Sequence, residues 1–310
     1  MKQTISFYRL PGLNTALKRC QFFWRAAAFM ILAGIVTLTV TLLDPAAHAY
    51  DVVIQPASPR QGDTVSILVT EQQTTGVTPP TVMVNGTTYP TFAVGEGRYR
   101  SFVPTSPLHA SGRYLVQVTG SEVPRNPAFW LSDRAFATQY ITLSPSQTNL
   151  GTDYEFDQVD AFKQLVSPDK YWDGAFLRPS EGRVSSEYGF RRYYNGVFAE
   201  NYYHRGVDYA APIGSPVIAP AAGRIVLTGQ VAEGFELHGN TIGLDHGQGV
   251  ASIFIHLNSI SVQEGDFVEA GQTIGTIGTT GASTGPHLHW GLYVNGVAVD
   301  PAPWRVDSIE

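Results

Sequence analysis

Cysteine is nearly absent from this chain of 310 residues: Cys20 is the single one, and it precedes an uncharged run from Ala26 to Leu43. Beyond residue 49 there is none. Neither a disulfide nor a thiolate centre can form there, and any metal must be held by His, Asp or Glu. A lipid-bearing cysteine would follow the apolar run rather than precede it, which argues against lipidation. Basic clusters are missing too. The net charge is −6 overall, and residues 1–49 carry five Lys or Arg against one Asp, which leaves 50–310 at −10. That balance argues against nucleic acid as a partner.

What is present begins with an export segment. Lys18, Arg19 and Arg25 lead into the apolar run, and Ala47-His48-Ala49 fits the small-residue cleavage pattern of a secretory signal. The run is also long enough to span a bilayer. Residues 1–49 are therefore expected to be a signal peptide or an N-terminal membrane anchor. Either places the remainder in the periplasm or cell envelope, in the second case tethered to the inner membrane.

Residues 50–145 read as short strands between turns, with Asn85-Gly86 as the preferred pair for a tight hairpin. Strands at this spacing predict an immunoglobulin-like β-sandwich. Residues 146–178 form a linker, in which "YEFDQVDAFKQLV" has the period of one short helix. Residues 179–310 are again strand-rich, with glycine at the turns, a hairpin at Asn295-Gly296 and no stretch of helical period. The expected class is all-β, in two β-rich pieces.

Five residues of the second piece stand apart: His204 and Asp208 in "HRGVD", His256 in "IFIHL", and His287 and His289 in "GPHLHWGLYVNG". On a strand, His287 and His289 share a face roughly 6.5 Å apart, with Leu288, Trp290 and Leu292 on the other, apolar face. A straight strand would hold His204 and Asp208 roughly 13 Å apart, so the chain must bend at Gly206 if they serve one target. Two imidazoles and a carboxylate with a position open to water form a recurring arrangement for catalytic zinc. Two histidines would then remain for proton transfer. His238 and His246 lie in turn-like contexts, and His109 in a surface loop.

The segments "HRGVDYAAPIGSPVIAPAAGRIVLTG", "GNTIGLDHG", "IFIHL", "VQEGDFVEAGQTIGTIGTTGASTGPHLHWGLYVNG" and "VDP" together resemble the lysostaphin-type, or LytM-like, zinc metallopeptidases of family M23. The resemblance covers about 179–304. It implies a compact, mostly antiparallel β domain with a groove over one zinc ion per chain. It implies His204, Asp208 and His289 as metal ligands and His256 and His287 as catalytic residues. The implied activity is hydrolysis of peptide cross-links in bacterial peptidoglycan, either glycine-rich bridges or the D-Ala to meso-diaminopimelate link. The acidic chain favours the second. Some relatives place a tyrosine near the metal, and Tyr193, Tyr194, Tyr202 and Tyr203 are all available.

Two other functions compete. A non-catalytic wall regulator that activates an amidase would have lost metal ligands, whereas every ligand position is filled. "VQEGDFVEAGQTIGTIG" also resembles lipoyl and biotinyl carrier domains, but these need an attachment lysine and none follows Lys170.

Overall fold

The computed structural model describes residues 50–71, 79–120, 124–148, 150–306 and 309; the export segment expected over 1–49 lies outside them. Asn85 and Gly86 take φ of 47° and 87° and join the strands Thr81–Val84 and Thr87–Tyr89. Positive φ at both positions gives the mirror-image turn whose twist suits a hairpin.

Two four-stranded sheets fill the N-terminal part. One has the order Tyr50–Gln55, Thr64–Glu71, Arg98–Pro104, Phe92–Gly95; the other runs Thr87–Tyr89, Thr81–Val84, Gly112–Thr119, Ala128–Leu131. Val65, Ile67 and Val69 alternate along one strand, as do Val82 and Val84, and Val116 and Val118, along two others. All are buried in one shared core, as period-two patterning requires.

The C-terminal part is built on a ten-stranded sheet. Its main path is Arg183–Ser186, Val207–Ala210, His287–Val294, Val250–Ile260, Asn240–Gly247, Gly223–Gly229, Phe267–Val268. Neighbours along this path pair antiparallel. A smaller sheet lies beside it, in which Thr138–Ile141 pairs parallel with Arg191–Tyr194. The expected helix is present as Asp153–Lys163, started by Thr152, whose side chain accepts the Glu155 N–H while Glu155 reaches back to the Thr152 N–H. Beyond it the described residues hold only a 3-10 turn, Val231–Glu233, and a four-residue helix, Pro301–Trp304. Among the described residues no helix is long and apolar enough to cross a membrane.

The two cores meet at the strand Arg98–Pro104. Adjacent side chains on a strand face opposite ways; Val103 enters the sandwich core and Phe102 the larger one. The Phe102 ring lies 6.1 Å from Trp172 and 5.6 Å from Trp304. Polar contacts reinforce the junction: Trp304 Nε1 donates to Thr64 Oγ1 at 3.1 Å, Asn295 Nδ2 to the Phe102 carbonyl at 2.8 Å, and Arg134 pairs with Asp300 at 2.7 Å.

Because Phe102 is 1% exposed, Phe102→Ala is expected to lower unfolding stability by about 3–5 kcal/mol. Denaturant titration followed by tryptophan fluorescence measures this, and a change below about 1 kcal/mol would show that the junction is not a packed core.

Candidate metal centre and active-site groove

The register of one strand pair sets the centre. Val207–Ala210 runs antiparallel to His287–Val294, with Val207 opposite Trp290 and Asp208 opposite His289. Directly opposed residues project to the same face. Leu288, Trp290 and Leu292 are completely buried on the other face, so the two histidines are held towards the groove as their alternation predicts.

The bend at Gly206 brings in His204. A Cβ at Gly206 would lie 2.8 Å from His289 Nε2 and closer still to the Trp290 carbonyl. Only glycine permits this approach. Upstream, the His204 backbone pairs with Gly189 and Phe190 at 2.9 Å, which fixes the turn before the strand begins.

His204, Asp208 and His289 are thus brought together, with one ligand atom from each lying within 4.8 Å of the others. His204 Nε2 is 3.0 Å from Asp208 Oδ1 and 3.0 Å from His289 Nδ1, and His289 Nδ1 is 2.8 Å from Asp208 Oδ1. His204 Nδ1 donates to the Glu187 carbonyl at 2.8 Å, so in the neutral ring Nε2 carries a lone pair. Lone pairs therefore converge on one buried point with too few protons to separate them. A divalent cation relieves that repulsion, and the donor set, two imidazoles and one carboxylate, fits zinc. Burial works to raise the Asp208 pKa, but the neighbouring His204 and His289 hold it well below the ordinary value. Burial lowers His289 to about 4, so its ring is neutral at pH 7.

The other two histidines flank this centre. Their rings lie 4.9 Å apart. His256 Nδ1 donates to the Thr280 carbonyl and His287 Nδ1 to the Gly285 carbonyl, each at 2.8 Å. Each neutral ring thereby keeps an unprotonated Nε2, and that of His287 is 3.9 Å from Asp208 Oδ1. Burial, then the charges of His287 and His289, push His256 down to about 3. His256 has φ of 64°, a left-handed backbone uncommon outside glycine, found mostly where the surroundings enforce it.

A groove of about 1110 Å³ runs over these residues. Of the four tyrosines, Tyr194 and Tyr202 line it. Tyr203 is buried with its hydroxyl on the Ala298 carbonyl at 2.9 Å, and Tyr193 stacks on Tyr140. Burial, with Tyr202 beside it, raises Tyr194 to about 12, so it stays a donor.

Three residues of the site carry no signature in the sequence. Arg192 reaches Asp208 Oδ2 at 3.4 Å, and its Nε donates to Gln139 Oε1 at 3.0 Å. Glu155 binds His238 Nδ1 at 2.9 Å. The remaining histidines lie elsewhere. His246 sits in the strand Asn240–Gly247 rather than in a turn, fully buried between the Ala222 carbonyl and Ser252 Oγ. His109 is half-buried, bonded to the Ser106 N–H and hydroxyl. A Cβ at Gly281 would abut Leu237 and Gly239, whereas Gly285 has open space.

The sequence profile of peptidase family M23 matches residues 202–301. The chain is 38% identical over 129 residues to the peptidoglycan DD-endopeptidase ShyC of Vibrio cholerae, covering 41% of this chain and 29% of that protein. It is 41% identical over 122 residues to the glycyl-glycine endopeptidase ALE-1 of Staphylococcus capitis, covering 38% and 32%. It spans under a third of the length of these curated relatives. A putative peptidase M23 from Pseudomonas aeruginosa shares the fold more widely, with 26% identity, a TM-score of 0.58, and coverage of 81% of this chain and 95% of that one. The profile match, these likenesses and the His-Asp-His cluster agree in one respect: residues 202–301 form a segment of the peptidase family M23 type.

Proposed function

We propose that the protein is a zinc-dependent endopeptidase that hydrolyses peptide cross-links of bacterial peptidoglycan after export to the cell envelope. In this proposal His204, Asp208 and His289 hold one zinc ion, and His256 and His287 are the catalytic histidines. The observation that carries it is the convergence of three buried ligand atoms next to two imidazoles with free Nε2 atoms. The substrate class is supported by the named activities of the relatives, and export by the character of residues 1–49. A purely regulatory role is disfavoured because no ligand position is lost. Residues 50–145 are proposed to be an immunoglobulin-like module.

When bound, zinc lowers the pKa of water to about 7 and polarises a carbonyl. The protein's own part is orientation and proton transfer. The Thr280 and Gly285 carbonyls fix the tautomers of His256 and His287, so each presents an unprotonated Nε2; that of His287 takes a proton from the attacking water and returns it to the leaving amine, while that of His256, pushed down to about 3, serves as a hydrogen-bond acceptor. Tyr194, neutral at pH 7 and lining the groove, is proposed as the donor to the developing oxyanion. Arg192 holds the second oxygen of Asp208 and so sets the plane of that carboxylate, as outer partners of metal ligands commonly do.

Digestion of sacculi carrying diaminopimelate cross-links, and separately of sacculi with glycine bridges, tests the proposal by mass spectrometry of the fragments. Cleavage of the diaminopimelate type is expected; no cleavage of either by zinc-loaded protein would overturn it. His289→Ala is expected to lose both bound zinc and cleavage. His287→Ala should retain one zinc per chain while turnover falls by about 10²–10⁴-fold; loss of zinc would make His287 a ligand instead. Arg192→Met should weaken zinc affinity by about 10–100-fold in a chelator competition, and an unchanged affinity would remove Arg192 from the centre.

A further inference from the structure

Glu155 lies 47 residues before the segment matched by the family profile, yet its carboxylate is completely buried beside the groove. Four donors surround it. The Thr152 N–H reaches Oε1 at 3.0 Å, the Leu237 N–H reaches Oε1 at 3.0 Å, and the His238 N–H and Nδ1 reach Oε2 at 3.1 and 2.9 Å. A helix cap needs only the first. The other three hold the loop before the strand Asn240–Gly247. Burial works to raise the Glu155 pKa, but the bonds from His238 and from the Leu237, His238 and Thr152 amides keep it at about 2. The carboxylate is therefore charged at any pH at which the protein acts, and charge-assisted bonds of this kind are the stronger ones.

The carbonyls of the same two loop residues face the catalytic side. The His238 carbonyl accepts the His256 N–H at 3.0 Å, and the Leu237 carbonyl accepts the Ala282 N–H at 2.9 Å. Ala282 belongs to the loop that delivers His287, whose ring is bonded to Gly285 and to Ser283 Oγ at 3.2 Å. Gly281 is packed so closely that an added Cβ would lie 2.5 Å from the Leu237 carbonyl. His256, moreover, is the residue held in the left-handed conformation, and its amide bond to His238 is one of the contacts enforcing it.

We propose that Glu155 is a positioning residue that clamps Leu237 and His238, and through their carbonyls fixes the backbones carrying both His256 and His287. The proposal rests on those histidines acting on substrate. It predicts that releasing the clamp costs turnover while leaving the metal in place, because the His204–Asp208–His289 cluster receives no bond from the loop 237–238. A misplacement of about 1 Å at a catalytic group reduces rate by about 100-fold.

The test compares Glu155→Gln with wild type as full chains loaded with zinc, well below the unfolding midpoint. Hydrogen exchange of the His256 and Ala282 amides is followed together with zinc content, kcat and KM on sacculus-derived cross-linked peptides. Exchange at both amides should accelerate by at least about tenfold. In parallel kcat should fall by about 10–100-fold, with KM and zinc content unchanged. A kcat equal to wild type, or unchanged exchange at His256 and Ala282, would overturn the proposal, since a stability role alone leaves the kcat of folded enzyme intact. If Glu155→Gln does not fold, Glu155→Asp keeps the charge but is one methylene too short to reach the loop, and the same pattern is expected. If wild type itself cleaves nothing, the peptidase proposal fails, while the exchange measurements still decide whether the clamp exists.

Discussion

Asp208 stands opposite His289 across two neighbouring strands, and the whole centre depends on that register. A slip of the strand His287–Val294 by one residue would turn His287 and His289 into the core and expose Trp290. The register is secured by what lies underneath. Leu288, Trp290 and Leu292 are without exposure, and the Trp290 indole N–H donates to Ser252 Oγ at 3.1 Å. Apolar burial on one face of the strand thus fixes polar convergence on the other. The bare Cα of Gly206 lets the segment that carries His204 pass close against Trp290 and His289.

Support for the centre extends past the segment that defines the family. Gln139, on the strand Thr138–Ile141, accepts from Arg192 and donates to Ser186 Oγ at 2.9 Å, so a strand ahead of the matched region braces the guanidinium that meets Asp208. The helix Asp153–Lys163 braces the far wall through Glu155, and Thr152 Oγ1 adds a bond to the Gly234 carbonyl at 2.7 Å. Residues between the sandwich and the large sheet therefore serve as walls of the groove, not as a slack tether.

How legible this was depended on how local each signal is. The alternation of "HLHW" reports its own faces, and the strand is found that way round. Asn85-Gly86 and Asn295-Gly296 both form the tight turns their residues favour, with positive φ at all four positions. The need for a bend between His204 and Asp208 followed from strand geometry alone. Long-range partners were not legible. Nothing near Glu155 distinguishes it from a capping residue, because its loop partners are 82 and 83 residues away. Arg192 and Gln139 are likewise joined only by the parallel pairing of their strands. His246 read as a turn residue because glycines follow it, whereas its burial is set by Ala222 and Ser252 on neighbouring segments. The left-handed backbone of His256 has no counterpart in "IFIHL", since the constraint comes from the loop it bonds to.

Phe102 and Val103, adjacent on one strand, are each buried in a different core. A strand covered on both sides cannot serve as a hinge, because swinging the sandwich away would bring the Phe102, Trp172 and Trp304 rings into water. The sandwich is accordingly fixed on the ten-stranded sheet, and the two parts move as one body.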